Sequence, residues 1–375
     1  MASICGSPVC AGGKPKMKFT YTGDYVVRKD GVVELLTSGT IVFIEPKVID
    51  LFMVGGGGAG GVGQLSNYRG LGGGGGGYTR TVRKVSVTPN NGYTVTVGSG
   101  GLVTNNITQP TNGGASEFGN FSVGGGLSAV LASSSSAHTS SGGAGGSGGG
   151  GGVYSTSDYG TGGNNGEAGE QGTNGAYGGA GQGFTTREFG EAAGKLYAGG
   201  GGGGRFLVSS TPVVSLGGSG GGGSGGFTDT NSTVTQAAGA GGANTGGGGG
   251  GGTTTNMRSI LGGSGGSGIV CFREAMELPE LAGTWVLNNR IYAPENNLNE
   301  AITFTVAAGT QFSRIATDAN YLRYYTSIPT VQTIYNFVTN AWQENHDRYG
   351  TITFPAGTTA SDEFRAWLAS NATKQ

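Results

Sequence analysis

Glycine dominates the middle of this chain and limits what the chain can fold into. There are 85 glycines in 375 residues; six precede residue 55 and four follow residue 268, so 75 lie between. About one residue in three is glycine there, against a usual level of about 7%. Such segments bury few side chains, yet ordering each residue costs roughly 1–2 kcal/mol of backbone entropy. The zone 55–268 therefore needs another source of order, or it stays a flexible linker.

The glycines recur with a period of three residues. Eight glycines from Gly160 to Gly181 are spaced by three, and the runs at 142–152 and 262–268 keep glycine at two of every three positions. This period is typical of the polyproline II backbone, which has three residues per turn and no internal hydrogen bonds. Collagen needs proline, which the run 160–181 lacks. Between a glycine–serine linker and a bundle of polyglycine II helices, the recurrence of runs between strands and aromatic turns favours the bundle.

Strand patterns lie before and within the glycine zone. Alternating apolar and polar residues predict strands ahead of residue 55, with Asp30-Gly31 as a hairpin turn. The same alternation predicts further strands at 78–89 and 91–101, and the sequence also predicts a short hairpin at 116–126 and a closing strand, SGIVCFRE, at 267–274. We therefore expect a β scaffold to run through the zone.

The C-terminal residues have ordinary composition. Short alternating runs with turn signals between them predict a small β-rich domain. The segment SDEFRAWLASNA predicts a closing helix, because Ser361 can cap it and Phe364, Trp367 and Leu368 share one face.

These patterns predict a mostly β fold. We expect a β-sandwich-like base with an inserted polyglycine II helix bundle, plus a small C-terminal β-rich domain ending in one α-helix. The expected divisions are a flexible N-terminal segment (1–16), the glycine-rich domain (17–274, with its glycine zone at 55–268) and the C-terminal domain (275–375).

Charge and hydropathy exclude several classes of partner. The net charge of −1 gives no electrostatic footprint for nucleic acid. No apolar run approaches the ~20 residues of a membrane span, so we expect no membrane insertion. The first residues lack the apolar core of a secretory signal, and the three cysteines do not make a disulfide framework. We expect synthesis in a reducing cytoplasm.

One motif resembles a dinucleotide-binding loop. Residues Gly58 to Gly63 read G-x-G-x-x-G after the apolar stretch VIDLFMV. Such a loop needs a following helix and an acidic residue about 20 positions later. The sequence continues QLSNYRGLGGGGGG, and Arg80 and Arg83 occupy the later positions. We therefore expect no cofactor here.

Candidate catalytic groups are sparse. The two histidines, His138 and His346, are too few for a histidine-rich zinc site. Glu188 and Glu191 could mimic an acid/base pair, but ion pairs with Arg187 and Lys195 at the end of the bundle are the favoured interpretation. We expect no catalytic, cofactor-binding or metal-binding residues and no enzymatic activity.

Surface segments between the glycine runs are the remaining candidates. Several mix tyrosine or phenylalanine with serine, threonine, asparagine and aspartate, the composition of antibody-like contact surfaces. The candidate receptor-contact residues are Tyr154, Tyr159, Tyr177, Asp229 and Asn231. The alternative is that these aromatic residues only cap the ends of the bundle.

The whole pattern resembles a known group of proteins. GDYVVRKDGVVELLTSGTIVF, IDLFMVGGGGAGG and REFGE…KLYAGGGGGG look like the glycine-rich domains of bacteriophage tail and tail-fibre proteins. The phrases LAGTWVLN and FRAWLASNA are similar to a small domain that often ends such virion proteins. Together the resemblance covers most of the chain from about residue 18.

The resemblance implies a virion tail protein that is assembled in the bacterial cytoplasm. It implies a receptor-binding adhesin, with a bacterial surface glycan or protein and other tail proteins as partners, and a homo-oligomer, with a trimer expected from fibre architecture. A purely structural virion component, such as a tail-tip, baseplate or head decoration protein, is the first alternative. A depolymerase is the second, although the chain has no well-placed acidic dyad.

Overall fold

The computed structural model describes a large part of the chain. The described residues are 17–64, 69–132, 141–152, 186–191, 194–207, 214–229, 235–255, 258–275, 280–287, 302–305, 311–318, 321–326, 350–354, 356, 359–360, 365, 369 and 372–375. The predicted flexible segment 1–16 and the glycine run 160–181 lie outside them. The chain divides into two compact units, Met1–Phe189 with Lys195–Ala275 and Gly190–Gly194 with Met276–Gln375.

The first unit contains β-strands and the first two residues of a 3-10 turn at Glu188–Gly190. Its described strands are β1 (Phe19–Tyr21), β2 (Tyr25–Val27), β3 (Val33–Leu35), β4 (Gly39–Phe43), β5 (Lys47–Val54), β6 (Arg69–Gly70), β7 (Thr79–Val87), β8 (Gly92–Thr96), β9 (Ser116–Phe118), β10 (Phe121–Val123), β11 (Arg205–Leu207), β12 (Phe227–Asp229), β13 (Thr235–Gln236), β14 (Thr253–Thr254), β15 (Ser259–Ile260) and β16 (Ile269–Glu274). The prediction of a mostly β chain is confirmed.

Two five-stranded antiparallel sheets form what we call the base. One has the strand order β1-β4-β8-β9-β10 and the other the order β2-β3-β16-β5-β7. Their side chains share one buried core, with Phe43 and Phe118 from the first sheet and Leu51, Met53 and Phe272 from the second. Burial of these large apolar side chains stabilises the base.

The base confirms two local predictions. Strands β2 and β3 form the expected antiparallel hairpin, with Gly31 at a φ of 87° in its turn, a conformation that glycine adopts without strain. The predicted closing strand is β16, and it lies between β3 and β5. Ile269 of β16 pairs with Val54 of β5, so the chain enters and leaves the glycine zone through neighbouring strands.

The glycine-rich segments form a second layer of structure, which we call the glycine lattice. Its described segments are 55–63, 70–77, 98–101, 113–114, 124–127, 141–152, 198–204, 217–226, 239–242, 246–252 and 262–268. Many of their glycines are buried. Their backbone groups therefore need partners within the protein.

Backbone hydrogen bonds link each lattice segment to several neighbours. In the segment 248–252, the first and fourth amides donate to the segment 199–202, and the second and fifth donate to the segment 58–61. The third amide donates to the carbonyl of Gly239, and all five N···O distances lie between 2.9 and 3.1 Å. The direction of donation thus repeats every three residues. A β-strand instead alternates its hydrogen bonds between two sides.

Glycine is required in the lattice because the backbones lie in contact. A Cβ added at Gly250 would overlap the carbonyl oxygen of Ser224, and one added at Gly203 would overlap that of Gly151. The nearest obstacle is backbone, which cannot rotate away as a side chain can. The high glycine content therefore follows from close backbone packing rather than from flexibility.

The second unit is also β-rich in its described part. Its strands are β17 (Gly283–Leu287), β18 (Ile302–Thr305), β19 (Gln311–Asp318), β20 (Tyr321–Thr326), β21 (Gly350–Phe354), β22 (Thr359–Ala360) and β23 (Ala372–Lys374). They form two sheets with the orders β18-β21-β17-β23 and β20-β19-β22. Trp285 of β17 is 2% exposed, and its indole N–H donates to the carbonyl of Leu281 at 2.9 Å.

The expectation that the chain closes with a helix needs a correction. Its last element is the strand β23, which pairs antiparallel with β17 and places Lys374 opposite Trp285. The amide of Gln375 continues this pairing with a hydrogen bond to the carbonyl of Thr284 at 2.9 Å. The edge of β17 thus gives the terminal backbone its hydrogen-bond partners. Most of the predicted helical segment 361–372 lies outside the described residues, so the helix itself stays a prediction.

Candidate functional site

The residues predicted to contact a receptor are only partly described. Tyr154, Tyr159, Tyr177 and Asn231 lie outside the described residues. Asp229 is the last residue of β12, which pairs in parallel with β11. Asp229 is only 6% exposed, so it offers little surface to an external ligand.

The glycine lattice has two ends that differ in their surroundings. At the base end, Gly55 directly follows β5, and its amide donates to the carbonyl of Tyr78 at 3.0 Å, just before β7. At the far end, the amide of Leu71 donates to Gly252 at 3.1 Å, and the amide of Gly204 donates to Leu71 at 2.7 Å. Lattice segments therefore run from the base towards a second surface.

Two small sheets cover this far end. They have the strand orders β11-β12-β13 and β15-β14-β6. The hydroxyl groups of Thr228 in β12 and Thr253 in β14 share a hydrogen bond at 2.8 Å, and both residues are buried. These strands were not predicted. One sequence signal for them is the β-branched run TTT at 253–255, directly after a glycine run.

Several described stretches of the chain stop or resume at this far end. Arg69 of β6, Leu207 of β11, Asp229 of β12 and Thr235 of β13 are each the last or first described residue beside a gap in the described chain. Gly152, the last described residue before the segment 153–185, also belongs there, because an added Cβ would overlap the carbonyl oxygen of Gly70 in β6. The far end thus gathers the chain ends that flank the candidate contact segments with Tyr154 and Asn231.

The G-x-G-x-x-G motif is part of the lattice and is occupied by protein. Within it, the amides of Gly58, Gly60 and Gly61 donate to the carbonyls of Gly75, Gly263 and Gly72 at 2.8–2.9 Å. A phosphate cradle needs such amides to point at the ligand. In this structure protein carbonyls accept the hydrogen bonds of these three amides instead.

Residues 186–189 and 195–198 cover the outer face of the sheet β2-β3-β16-β5-β7. Phe189 and Tyr197 are 1% and 0% exposed, and their ring centroids lie 6.0 and 5.4 Å from that of Phe52 in β5. The guanidinium carbon of Arg273 lies 4.2 Å from the centroid of the Phe189 ring. Strand β5 is therefore buried on both faces, which accounts for its nearly continuous apolar sequence.

The ion pairs of this segment differ from the predicted ones. The Glu188 carboxylate is 4% exposed and pairs with Arg28 at 2.7 Å, not with Arg187 or Lys195 at an exposed end. Lys195 pairs instead with Glu34 at 3.7 Å. For Glu188 and Lys195 the prediction was wrong, because sequence distance favours near neighbours, whereas Glu188 and Arg28 are 160 positions apart and meet only when the segment covers the sheet. For Glu191 and Arg187 it stays a prediction.

Two buried groups here, the Cys271 thiol and the Tyr197 phenol, are held in neutral forms. Burial raises the pKa of the Cys271 thiol well above its ordinary value, and the nearby Glu188 carboxylate raises it further. Burial likewise raises the pKa of Tyr197, with Cys271 and Glu188 adding to the effect. A buried neutral thiol is a poor nucleophile. Within the described ranges, no group of three or more His, Cys, Asp or Glu residues could hold a metal ion.

Of the helices in the described part of the chain, none is long and apolar enough to cross a membrane.

Comparisons with known proteins identify the family of the chain. A search of curated proteins gave no significant match. The model of the glycine-rich domain family matches residues 37–275, which include most of the base and the whole glycine lattice. The chain belongs to the glycine-rich domain family.

Proposed function

We propose that this chain is a bacteriophage tail-fibre or tail-tip protein that acts as a receptor-binding adhesin and has no enzymatic activity. In this proposal, a polyglycine II bundle rooted on the base presents loops to a glycan or protein of the bacterial surface. Its other partners are tail proteins, and it is assembled in the host cytoplasm as a homo-oligomer and then carried in the virion.

The proposed polyglycine II bundle is supported by the direction of the lattice hydrogen bonds. A left-handed helix with three residues per turn presents successive amides to three sides and repeats after three residues. The amides of Gly55, Gly58 and Gly61 donate to the carbonyls of Tyr78, Gly75 and Gly72, respectively, at 2.8–3.0 Å. Both series step by three residues, and they run in opposite directions along the chain. The segment 248–252 repeats its donation to two other segments in the same way.

The adhesin proposal depends mainly on one observation, the gathering of chain ends at the far end of the lattice. Gly152 and Asp229 lie there, each two residues before a candidate contact residue, Tyr154 and Asn231. The core of the base lies at the opposite end, next to Gly55 and Tyr78. Loops on a rigid scaffold are well suited to binding, and aromatic and small polar residues give adaptable contact surfaces.

Adsorption experiments test the adhesin proposal. Purified protein should bind host cells and reduce phage adsorption by competition. The double variant Tyr154→Ala/Tyr159→Ala should lose most of this competition, because interface tyrosines carry a large share of binding energy. The matched control is Ile44→Ala, which changes an exposed residue of the base and should compete as well as the unmodified chain. Equal competition by the double variant would exclude these loops.

A second candidate function is a purely structural virion component. The burial of Asp229 favours it, since one of the five candidate contact residues has little exposed surface. In that case the protein assembles with other tail proteins but neither binds host cells nor competes with phage adsorption at any protein concentration.

A further inference from the structure

Strand β2 is an apolar strand at an open edge of the base. It is the outermost strand in the order β2-β3-β16-β5-β7. Its residues Tyr25, Val26 and Val27 are 43%, 46% and 42% exposed. Among the described strands, none pairs with its outer side. An edge of this kind is a template for pairing with another strand.

Two other edges of the base carry features that hinder such pairing. The edge strand β7 has an irregular register opposite Ile49 and Leu51, and Lys84 adopts a φ of 54° there. On the edge strand β10, the carbonyl of Ser122 already accepts a hydrogen bond from Arg80 at 3.1 Å. Bulges and charged side chains are ordinary protections of sheet edges. The apolar run of β2 has neither.

The hairpin register determines which backbone groups of β2 point outward. The amide of Arg28 donates to the carbonyl of Val32 at 2.8 Å, and the amide of Leu36 donates to the carbonyl of Asp24 at 2.9 Å. Because hydrogen-bonded pairs alternate along an antiparallel ladder, Asp24, Val26 and Arg28 direct their backbone groups towards β3. The N–H and C=O groups of the two residues between them, Tyr25 and Val27, therefore point away from the sheet.

We propose that β2 pairs with β2 of a second copy of this chain, antiparallel and across a two-fold axis at Val26. Tyr25 then lies opposite Val27 of the partner subunit, and the two residues exchange both backbone hydrogen bonds. The symmetric pair does the same, which gives four new hydrogen bonds and one continuous ten-stranded sheet. The contact is isologous, since the same surface is used twice.

Charges at the ends of β2 favour this register. With the axis at Val26, Asp24 lies opposite Arg28 of the partner subunit, in a non-hydrogen-bonded position where side chains approach closely. Arg28 also pairs with Asp30, Glu34 and Glu188 of its own chain and its side chain is 25% exposed, so this contact is one of several that its guanidinium makes. An axis at Val27 would instead place Asp24 opposite Asp30 of the partner subunit, which brings like charges together. The Tyr25 ring is already held by Phe19, with 5.2 Å between ring centroids.

This inference does not depend on the proposed adhesin function. It predicts a two-fold dimer in place of the trimer that the resemblance to fibre proteins implies. A dimer without receptor binding would leave the inference intact, and receptor binding by a monomer would leave the adhesin proposal intact.

Sedimentation equilibrium of the full chain tests the dimer. The unmodified protein should have twice the 37.2 kDa mass of one chain. Val26→Lys places two like charges opposite each other and should weaken dimerisation about tenfold or more. Val48→Lys is the matched control, because Val48 lies on β5 of the same sheet and is 44% exposed, and it should remain dimeric. A monomeric or trimeric mass, or an unchanged Val26→Lys dimer, would overturn the proposal.

Disulfide trapping tests the register. In a Cys5→Ser/Cys10→Ser background, Val26→Cys should form a cross-linked dimer on oxidation. Residues on the axis of such a pair lie about 4.5 Å apart between Cα atoms, within the range of a disulfide. Val48→Cys should remain unlinked. Equal cross-linking of both variants, or none at position 26, would contradict pairing at Val26.

Discussion

The base and the glycine lattice are held together by different groups of atoms. In the base, side chains such as Phe43, Phe118 and Phe272 are 0–1% exposed, and each stabilises the fold by removing apolar surface from water. In the lattice the neighbouring segments meet mostly through backbone N–H and C=O groups, as where Gly250 donates to Gly239 at 2.9 Å. One region depends on side chains and the other on the main chain.

The difference shows why the two regions occur together. A hydrogen bond contributes about 0.5–1.5 kcal/mol net, which is close to the roughly 1–2 kcal/mol of entropy lost in ordering a residue. A glycine segment is therefore marginal by itself. Strands β5 and β16, each continuous with a lattice segment, fix the starting position of their neighbours. We expect the lattice to depend on the base more than the base depends on the lattice.

The largest expected effect is in the base, at a buried charge. Asp50 is 2% exposed and pairs with Arg83 at 2.7 Å and with Arg273 at 3.4 Å. Asp50→Asn removes the carboxylate that both guanidinium groups contact, so urea unfolding should show a loss of about 3–5 kcal/mol. Glu274→Gln, on an exposed pair with Lys47 of the same sheet, should cause no measurable loss. Equal effects of the two variants would show that burial does not decide the strength of these pairs.

The next effect is in the lattice, at a backbone contact. Gly250→Ala should destabilise the protein by at least about 1–3 kcal/mol, because the new Cβ overlaps the Ser224 carbonyl oxygen. Gly124→Ala is the matched control, since its Cβ would meet only Tyr78, at an ordinary 3.6 Å. It should be neutral or slightly stabilising. Thermal unfolding of both variants checks this, and a tolerated alanine at position 250 would mean that the backbones are not in contact.

Alanine substitutions at two buried serines should change the free energy of unfolding by smaller amounts and in opposite directions. Ser116 is 0% exposed, and its hydroxyl accepts from the amide of Gly98 at 2.9 Å and donates to the carbonyl of Val54 at 2.6 Å. Ser147 in the lattice is equally buried, but its hydroxyl has no hydrogen-bond partner in the described part of the chain. Ser116→Ala should cost about 1–3 kcal/mol, and Ser147→Ala should stabilise by about 1 kcal/mol. Two changes of the same sign would contradict this difference.

Alkaline pH should weaken the contact between the base and the segment that covers it. The folded-state pKa values of Cys271 and Tyr197 are raised by burial. Their contribution to stability is complete below the unfolded-state pKa values of about 8.5 and 10, and it is lost as the pH rises above them. Urea unfolding between neutral and alkaline pH should show this decline, with a shallower slope for Tyr197→Phe. A free energy of unfolding that stays constant into alkaline pH would oppose the burial of both groups.

The sequence predicts local structure in the base well. The hairpin at Asp30-Gly31 and the closing strand SGIVCFRE depend on turn chemistry and on alternation, both of which are local signals. The sequence does not show that the closing strand lies between β3 and β5, because that pairing joins residues more than 200 positions apart. The buried pair of Glu188 and Arg28 was missed for the same reason.

The candidate site was less predictable than the base. The aromatic and polar composition drew attention to the segments with Tyr154 and Asn231, but composition carries no information on where a segment starts in space. The far end of the lattice is defined by hydrogen bonds between segments, as between Gly204 and Leu71. A glycine has no side chain with which to signal such partners in sequence.

Hydrogen exchange of the lattice amides tests the central claim, that glycine segments are ordered through their backbones. The amides of Gly248 to Gly252 donate to three different segments and should exchange slowly, with protection of the same order as the amides of β5. Gly250→Ala should reduce that protection more in the lattice than in β5. Exchange of the wild-type glycine amides at the rate of an unstructured peptide, beside a protected β5, would contradict the account and restore the flexible linker.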